Sequence, residues 1–361
     1  MPNRRQFLAT AATGLVLPLV GTHPSPARAG MPPDSVPAPS DFELTLQPER
    51  VFKRTADQDR LRQEYWLFVL VLTASEARKP ALEQLVVGYA SRGEVRRVNT
   101  YSGAALAALD LMPQVAAAPG KSRFPVAAFQ VADAMPVALA IDSARCELAW
   151  RDGRGATVRA HREVPLGAYA QRTQLRFPFV GHGMITQGGA WNDGHRNRSG
   201  MFAIDAIGLT DGYAMMVGTG DAPEATAGWG RSVIAPAAGR VVVARGDRPD
   251  QPMTGVADPH YFTAEFPQGG DPGNHCVIDH GNGEFSMLAH FRQDSLRVRV
   301  GDRIEQGQPL AQLGNSGDTN APHVHHQLQD GPDWMTADAL PHAYVNGPER
   351  QHDRGTIFEA R

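Results

Sequence analysis

The chain has 361 residues, long enough for two hydrophobic cores, and 42% of them are hydrophobic. Its formal net charge of −3, from 35 basic and 38 acidic residues, excludes the strongly basic balance of a nucleic-acid binder. Only two cysteines are present, which excludes a disulfide framework.

In chain order, Arg4-Arg5-Gln6-Phe7-Leu8 precedes an apolar run to Val20 and the small-x-small site Ala27-Arg28-Ala29. A charged start, a short apolar stretch and such a site make a signal peptide over residues 1–29, not a membrane span. The twin arginines resemble the signal of the twin-arginine export route, so a periplasmic location is expected. Residues 30–40, rich in Pro, Ser and Ala, read as a flexible leader.

Residues 41–165 carry short apolar runs at Tyr65–Thr73, Leu82–Ala90, Val126–Gln130, Pro136–Ile141 and Cys146–Trp150. Each is bounded by turn-forming residues, which predicts an antiparallel β-sandwich-like domain. The Ala/Leu-rich stretch Gly103–Leu111 predicts one helix. Nothing in this half gathers titratable groups. Residues 166–180 read as a linker, residues 181–345 as a second, Gly-rich antiparallel β domain, and residues 346–361 as a tail.

Within the second domain, Val233–Ala244 predicts two strands paired about a turn at Ala238-Gly239. Asn274–Asp279 and Glu284–Phe291 predict a hairpin closed by His280-Gly281-Asn282-Gly283. Val298–Gly301, Gln308–Leu313 and His323–Gln329 complete the sheet, and the proline-rich stretch 245–273 reads as a long rim loop. Cys146 and Cys276 fall in different domains and are expected to be free buried thiols. Neither has a partner at C-x-x-C spacing.

Nine of the thirteen histidines lie between residues 182 and 326. His323 and His325 alternate on a predicted strand and so leave the same face. Two imidazoles on one face, entered from the Gly314-Asn315-Ser316-Gly317 turn, suit a zinc site with catalysis beside it. His280 reads as structural and His326 as facing away from His325.

Six segments in order then carry a family resemblance. They are Ile234–Val241, Gly273–Glu284, Ala289-His290-Phe291, Val300–Gln308, Gly314–Gly317 and Pro322–His325. Residues of about 181–330 resemble the zinc metallopeptidases of the lysostaphin/LytM type, the M23 family. The resemblance implies Zn2+ held by a His, an Asp and the second His of the H-x-H element, with His325 as the last ligand. His290 and His323 correspond to the pair that assists catalysis. The family usually writes its first two ligands His-x-x-x-Asp, and His275–Asp279 and His290–Asp294 both match literally. The first pair lies along a predicted strand, about 13 Å apart. The second would consume His290. His195 and Asp205, which precede the other elements as the family's order demands, resemble a variant with a longer excursion between ligands. Asp205 interrupts the apolar run from Phe202 to Ile207, an awkward place for a carboxylate unless it binds something.

These implications make the chain an exported zinc endopeptidase in which zinc-activated water attacks a peptide bond of peptidoglycan stems or cross-bridges. The alternative is an inactive LytM-like partner that regulates another cell-wall hydrolase. A lipoyl- or biotin-carrier hairpin is excluded because no lysine follows Lys121. No membrane span is expected after signal cleavage, and the sequence leaves the oligomeric state open.

Overall fold

The computed structural model describes residues 42–58, 61–75, 80–110, 124–152, 155–188, 195, 198–261, 270–347 and 354–361. The expected signal peptide and leader, residues 1–40, therefore lie outside the described residues. No helix among those described is long and apolar enough to cross a membrane.

The first sheet contains β1 (Phe42–Gln47), β2 (Val51–Gln58), β3 (Leu61–Ala74), β4 (Ala81–Ser91) and β5 (Glu94–Ser102), followed by helix α1 (Gly103–Leu109). β6 (Phe124–Pro136), β7 (Ser143–Arg151) and β8 (Thr157–Ala168) complete it. The strand order is β1-β3-β2-β8-β7-β4-β5, with β6 also paired to β3. β2 turns the corner, pairing antiparallel with β3 through Arg54–Gln58 and parallel with β8 through Val51–Lys53. The two halves then face each other as a sandwich, with Trp66 against Tyr89 and Phe42 against Trp150, each pair 5.3 Å apart. Cys146 is buried in this core.

The second sheet contains β9 (Gly181–Gln187), β10 (Ile204–Gly208), β12 (Gly239–Arg245), β13 (Asn274–Asp279), β14 (Phe285–Phe291), β15 (Arg303–Ile304), β17 (Val324–Gln329), β18 (Ala339–Leu340) and β19 (Ile357–Ala360). Its order is β15-β12-β13-β14-β17-β10-β9-β19, with β18 beside β17. β11 (Ser232–Ile234) and β16 (Pro309–Gln312) form a separate ribbon. Ile204, Ala206, Cys276, Ile278, Leu288, Val324 and Leu328 fill the core face. Alternation places Asp205, His325, Gln327 and Gln329 on the opposite face. The chain is thus mainly β and antiparallel, and both cysteines are buried and unpaired.

Five expectations are corrected. Pro136–Ile141 is not a strand. Pro136, lacking a donor, ends β6, and a short 3-10 turn over Val137–Leu139 leads to Ala140 at φ +48°. The Val233–Ala244 strands do not pair with each other: Ala235 bonds to Gln308 and Gly307 instead, so β11 joins β16 while β12 joins β13. Val298–Gly301 is a buried-to-exposed turn with Gly301 at φ +98°, and the strand lies at Arg303–Ile304. Residues 166–180 are no solvated linker, because Leu175, Phe177 and Phe179 are fully buried. Phe177 packs 4.4 Å from Phe358 of the expected tail, which becomes edge strand β19. Helix α1 ends at Leu109, and Leu111 lies outside the described residues.

On the core face, His326 accepts from or donates to Tyr344 Oη (2.5 Å) and Ser286 Oγ (3.1 Å), while His280 reaches the same Ser286 Oγ at 2.8 Å. His342 lies 3.1 Å from Tyr344 Oη. Burial pushes His342 down to about 3 and holds His326 well below the ordinary imidazole range. Unfolding would let both take up protons near the ordinary pKa of about 6.5, so folded stability is complete above that pH and is lost as pH falls towards 3. For His342 alone, a fall from 6.5 to about 3, the loss is about 5 kcal/mol. Denaturant midpoints should fall steeply below pH 6.5, and His342→Phe should flatten that fall.

The turn Gly314–Gly317 is pinned by close backbone approach. A Cβ on Gly314 would sit 2.1 Å from the Arg292 nitrogen; on Gly317, at φ +81°, it would sit 2.4 Å from the Gly273 nitrogen. Gly314→Ala is expected to cost about 3 kcal/mol, read as a lowered urea midpoint.

Candidate metal centre and catalytic groove

Asp205 on β10 and His325 on β17 are direct cross-strand neighbours, so their side chains rise together from the sheet. His325 Nδ1 lies 2.9 Å from Asp205 Oδ1. His195, ten positions before Asp205, brings its Nε2 to 3.3 Å from Asp205 Oδ2. The ligand atoms of these three residues all fall within 4.8 Å of one another, the metal-capable group among the described residues. Residues 198–202, ahead of Asp205, are anchored at two points. Met201 and Phe202 pack with Tyr65 and Leu67 of the first sheet, and Arg198 pairs with Asp338.

His323 enters just before β17. Its Nδ1–H donates to the Ala321 carbonyl at 2.8 Å, and its Nε2 lies 3.6 Å from Asp205 Oδ1. Thr319 Oγ1 adds a contact to the same Nδ1 at 3.1 Å.

His290 owes its direction to a β-bulge. Asn274 pairs with Phe291 and Cys276 with Leu288, so Ala289 and His290 together oppose His275 alone. The extra residue adopts φ +62°, a left-handed conformation that costs a non-glycine residue free energy and collects at functional sites. Its ring sits 4.6 Å from that of His323 and 6.0 Å from that of His325, and its Nδ1–H donates to the Ser316 carbonyl at 2.8 Å. Ser316 is held in turn by its hydroxyl bond to Phe291 O.

Asp205, His290, His323 and His325 are each only 7–8% exposed. Burial would raise the Asp205 carboxyl, but His195, His323 and the hydrogen bonds from His195 and His325 outweigh it and hold it well below the usual range. Burial keeps His290 and His325 below the ordinary imidazole range, and neighbouring histidines push His290 down further. A carboxylate flanked by imidazoles is the donor set that a divalent ion of borderline softness takes.

The other histidines stand apart. His275 turns its Nδ1 back to Gly273 O at 2.8 Å, and its companion Asp279 lies at the far end of β13. Asp294 follows β14 in a turn at φ +57°. His182 lies against Tyr213, and His260 against Tyr261. His280 is structural, bonding Ala238 O, and His326 points into the opposite face.

Two residues of this face went unnoticed in the sequence, Gln327 and Gln329. Gln327 Oε1 lies 2.9 Å from His325 Nε2, and Gln327 Nε2 donates to Gln329 Oε1. The alternation His325, Gln327, Gln329 was the available signal, since polar residues at every second position of a buried strand share one face.

Residues 224–336 match the family model described as peptidase family M23. That segment includes His290, His323 and His325 and begins after His195 and Asp205. Over 56 residues the chain is 34% identical to the peptidoglycan DD-endopeptidase ShyA of Vibrio cholerae, a stretch covering 16% of this chain and only 13% of that protein. Similar solved structures include a mutant catalytic domain of the M23 protein EnpA from Enterococcus faecalis (16% identity, 49% of this chain and 95% of that one, TM-score 0.26). Others are the lysostaphin catalytic domain from Staphylococcus simulans (17%, 46% and 88%, TM-score 0.25) and a zinc-containing peptidase from Vibrio cholerae (13%, 80% and 86%, TM-score 0.29). At these scores the structural likenesses carry no weight for function. The sequence match stands apart from them and likens residues 224–336, about a third of the chain, to peptidase family M23.

Proposed function

We propose that the chain is an exported zinc-dependent endopeptidase that hydrolyses peptide bonds in peptidoglycan stems or cross-bridges. The observation that carries the reading is the convergence of His195, Asp205 and His325, with the rings of His290 and His323 beside them. The donor set fits zinc: two imidazole nitrogens and one carboxylate oxygen, all close enough to share one ion. Bound there, zinc would act as a Lewis acid and bring a water's pKa to about 7.

The chain's own residues supply the rest. His290 and His323 each donate Nδ1–H to a backbone carbonyl, so each presents an Nε2 lone pair. His323 shares the face of His325 and is placed to accept the proton of the attacking water. His290, once protonated at Nε2, donates to the developing oxyanion or to the leaving amine. With Nδ1–H committed to Ser316 O, the neutral ring has no second proton to give.

The cell-wall substrate is supported by the name of the relative ShyA and by the export signal read at residues 1–29. Digestion of purified sacculi by the zinc-loaded protein, with mass spectrometry of the released fragments, tests this. Release of fragments cut at one defined peptide bond is expected. Intact sacculi in the presence of one bound zinc per chain would sink the peptidoglycan assignment.

A further inference from the structure

We propose that Tyr65 and Leu67 of the first sheet are positioning residues for the metal centre, acting through Met201 and Phe202 to keep His195 in reach of Asp205 and His325. The inference rests on the zinc-site reading of those three residues. It starts from an uneven division of support. Asp205 and His325 sit on paired strands, so the sheet itself fixes their separation. His195 lies in no strand. The last strand residue before it is Gln187, eight positions back, whereas the turn that begins at Arg198 is only three positions on. Three residues span at most about 11 Å, so the place of that turn limits where the imidazole can go.

The turn is held largely by the other sheet. Its apolar side chains, Met201 and Phe202, are buried in one cluster with Tyr65, Leu67 and Ala339. β3 can serve two cores because its side chains alternate. Trp66, Phe68, Leu70 and Leu72 fill the sandwich, while Tyr65 and Leu67 leave the opposite face. An antiparallel strand commonly turns its second face to water, yet Tyr65 and Leu67 are each only 6% exposed. The unbroken apolar run Tyr65–Leu72 is the trace of that double burial in the sequence. A polar relay runs alongside. Arg50 pairs with Asp330 at 3.0 Å, Asp330 accepts from the Asp338 N–H at 2.7 Å, and Asp338 pairs with Arg198. Arg50 is largely exposed, so this relay adds little and the apolar contact carries the support. The sandwich thus completes the metal centre through a surface that touches no ligand.

Three variants of the full-length protein test this. Leu67→Ala removes the contact beneath Met201 and Phe202. Leu70→Ala is the same truncation on the opposite face of β3, inside the sandwich core. Leu67→Met refills the first site. Zinc affinity, read by competition with a chromophoric chelator, should fall about 10-fold in Leu67→Ala and stay within about 2-fold of wild type in the other two. In proton–nitrogen spectra of metal-free protein, the His195 ring signals should shift and broaden in Leu67→Ala alone. A merely structural role would lower thermal stability in Leu67→Ala and Leu70→Ala without separating them in either readout. Tyr65→Leu should weaken zinc binding by a smaller factor and carries the test if Leu67→Ala does not fold. Unchanged zinc affinity and His195 signals in the Leu67 variant, or an equal loss in Leu70→Ala, overturns the brace. Wild-type protein that binds no zinc, with His195 signals still moved by Leu67→Ala, would instead overturn the zinc reading and leave the brace standing.

Discussion

Asp205→Asn is expected to leave a folded protein that no longer retains zinc through dialysis and releases no fragments from sacculi. Asp205 is the one anionic donor in the group, and both ring nitrogens that face the site approach its carboxylate, at 2.9 and 3.3 Å. A carboxamide keeps the shape but removes the charge that offsets a divalent ion. Outer partners of zinc ligands cost 10- to 100-fold in affinity when removed, and loss of a direct ligand should exceed about 100-fold. The fold should survive, because a carboxamide keeps the shape of the carboxylate and an oxygen that still accepts a hydrogen bond. Calorimetric zinc titration of the variant checks the affinity. A dissociation constant within tenfold of wild type would remove Asp205 from the ligand set.

His323→Ala and His290→Ala should behave oppositely, keeping zinc and losing turnover. Neither belongs to the group whose ligand atoms converge, yet their rings lie 4.6 Å apart beside it. General acid–base groups contribute about 10²- to 10⁴-fold, so each variant should lose kcat by that order with KM little changed. The double variant should lose little more than either single one, since the two act on one proton path. His290→Ala carries a second signature. Its φ of +62° is tolerated by asparagine or glycine better than by alanine, so His290→Asn should be the more stable of two inactive proteins. A His290 or His323 variant with wild-type kcat would remove that residue from the chemistry.

Much of this arrangement was legible in the sequence where the physics is local. His323 and His325 share a face because strand periodicity is two, and Asp205 stood out because a carboxylate interrupts an apolar run. The hairpin at His280–Gly283 was readable from its turn residues, and β13 and β14 pair there with Asp279 opposite Phe285. What escaped depends on partners distant in the chain. The bulge that turns His290 exists only because β13 offers one residue where β14 offers two. β19 joins the sheet because Phe358 finds Phe177 and Phe179, residues that looked like linker. The strands of Val233–Ala244 were each readable, but Ala235 bonds across to Gly307 and Gln308, a choice no local pattern shows. Gln327 and Gln329 were passed over because glutamine on an exposed strand means nothing. Only burial makes them informative.

The most direct test of the central claim is reconstitution. Protein stripped by chelator would be titrated with zinc while peptide-bond cleavage in sacculi and bound metal are measured together. Cleavage should be absent at zero zinc and should rise in proportion to bound zinc up to one ion per chain, with Asp205→Asn flat throughout. Full cleavage by stripped protein, or tight binding of one zinc by Asp205→Asn, would contradict a zinc centre built on His195, Asp205 and His325.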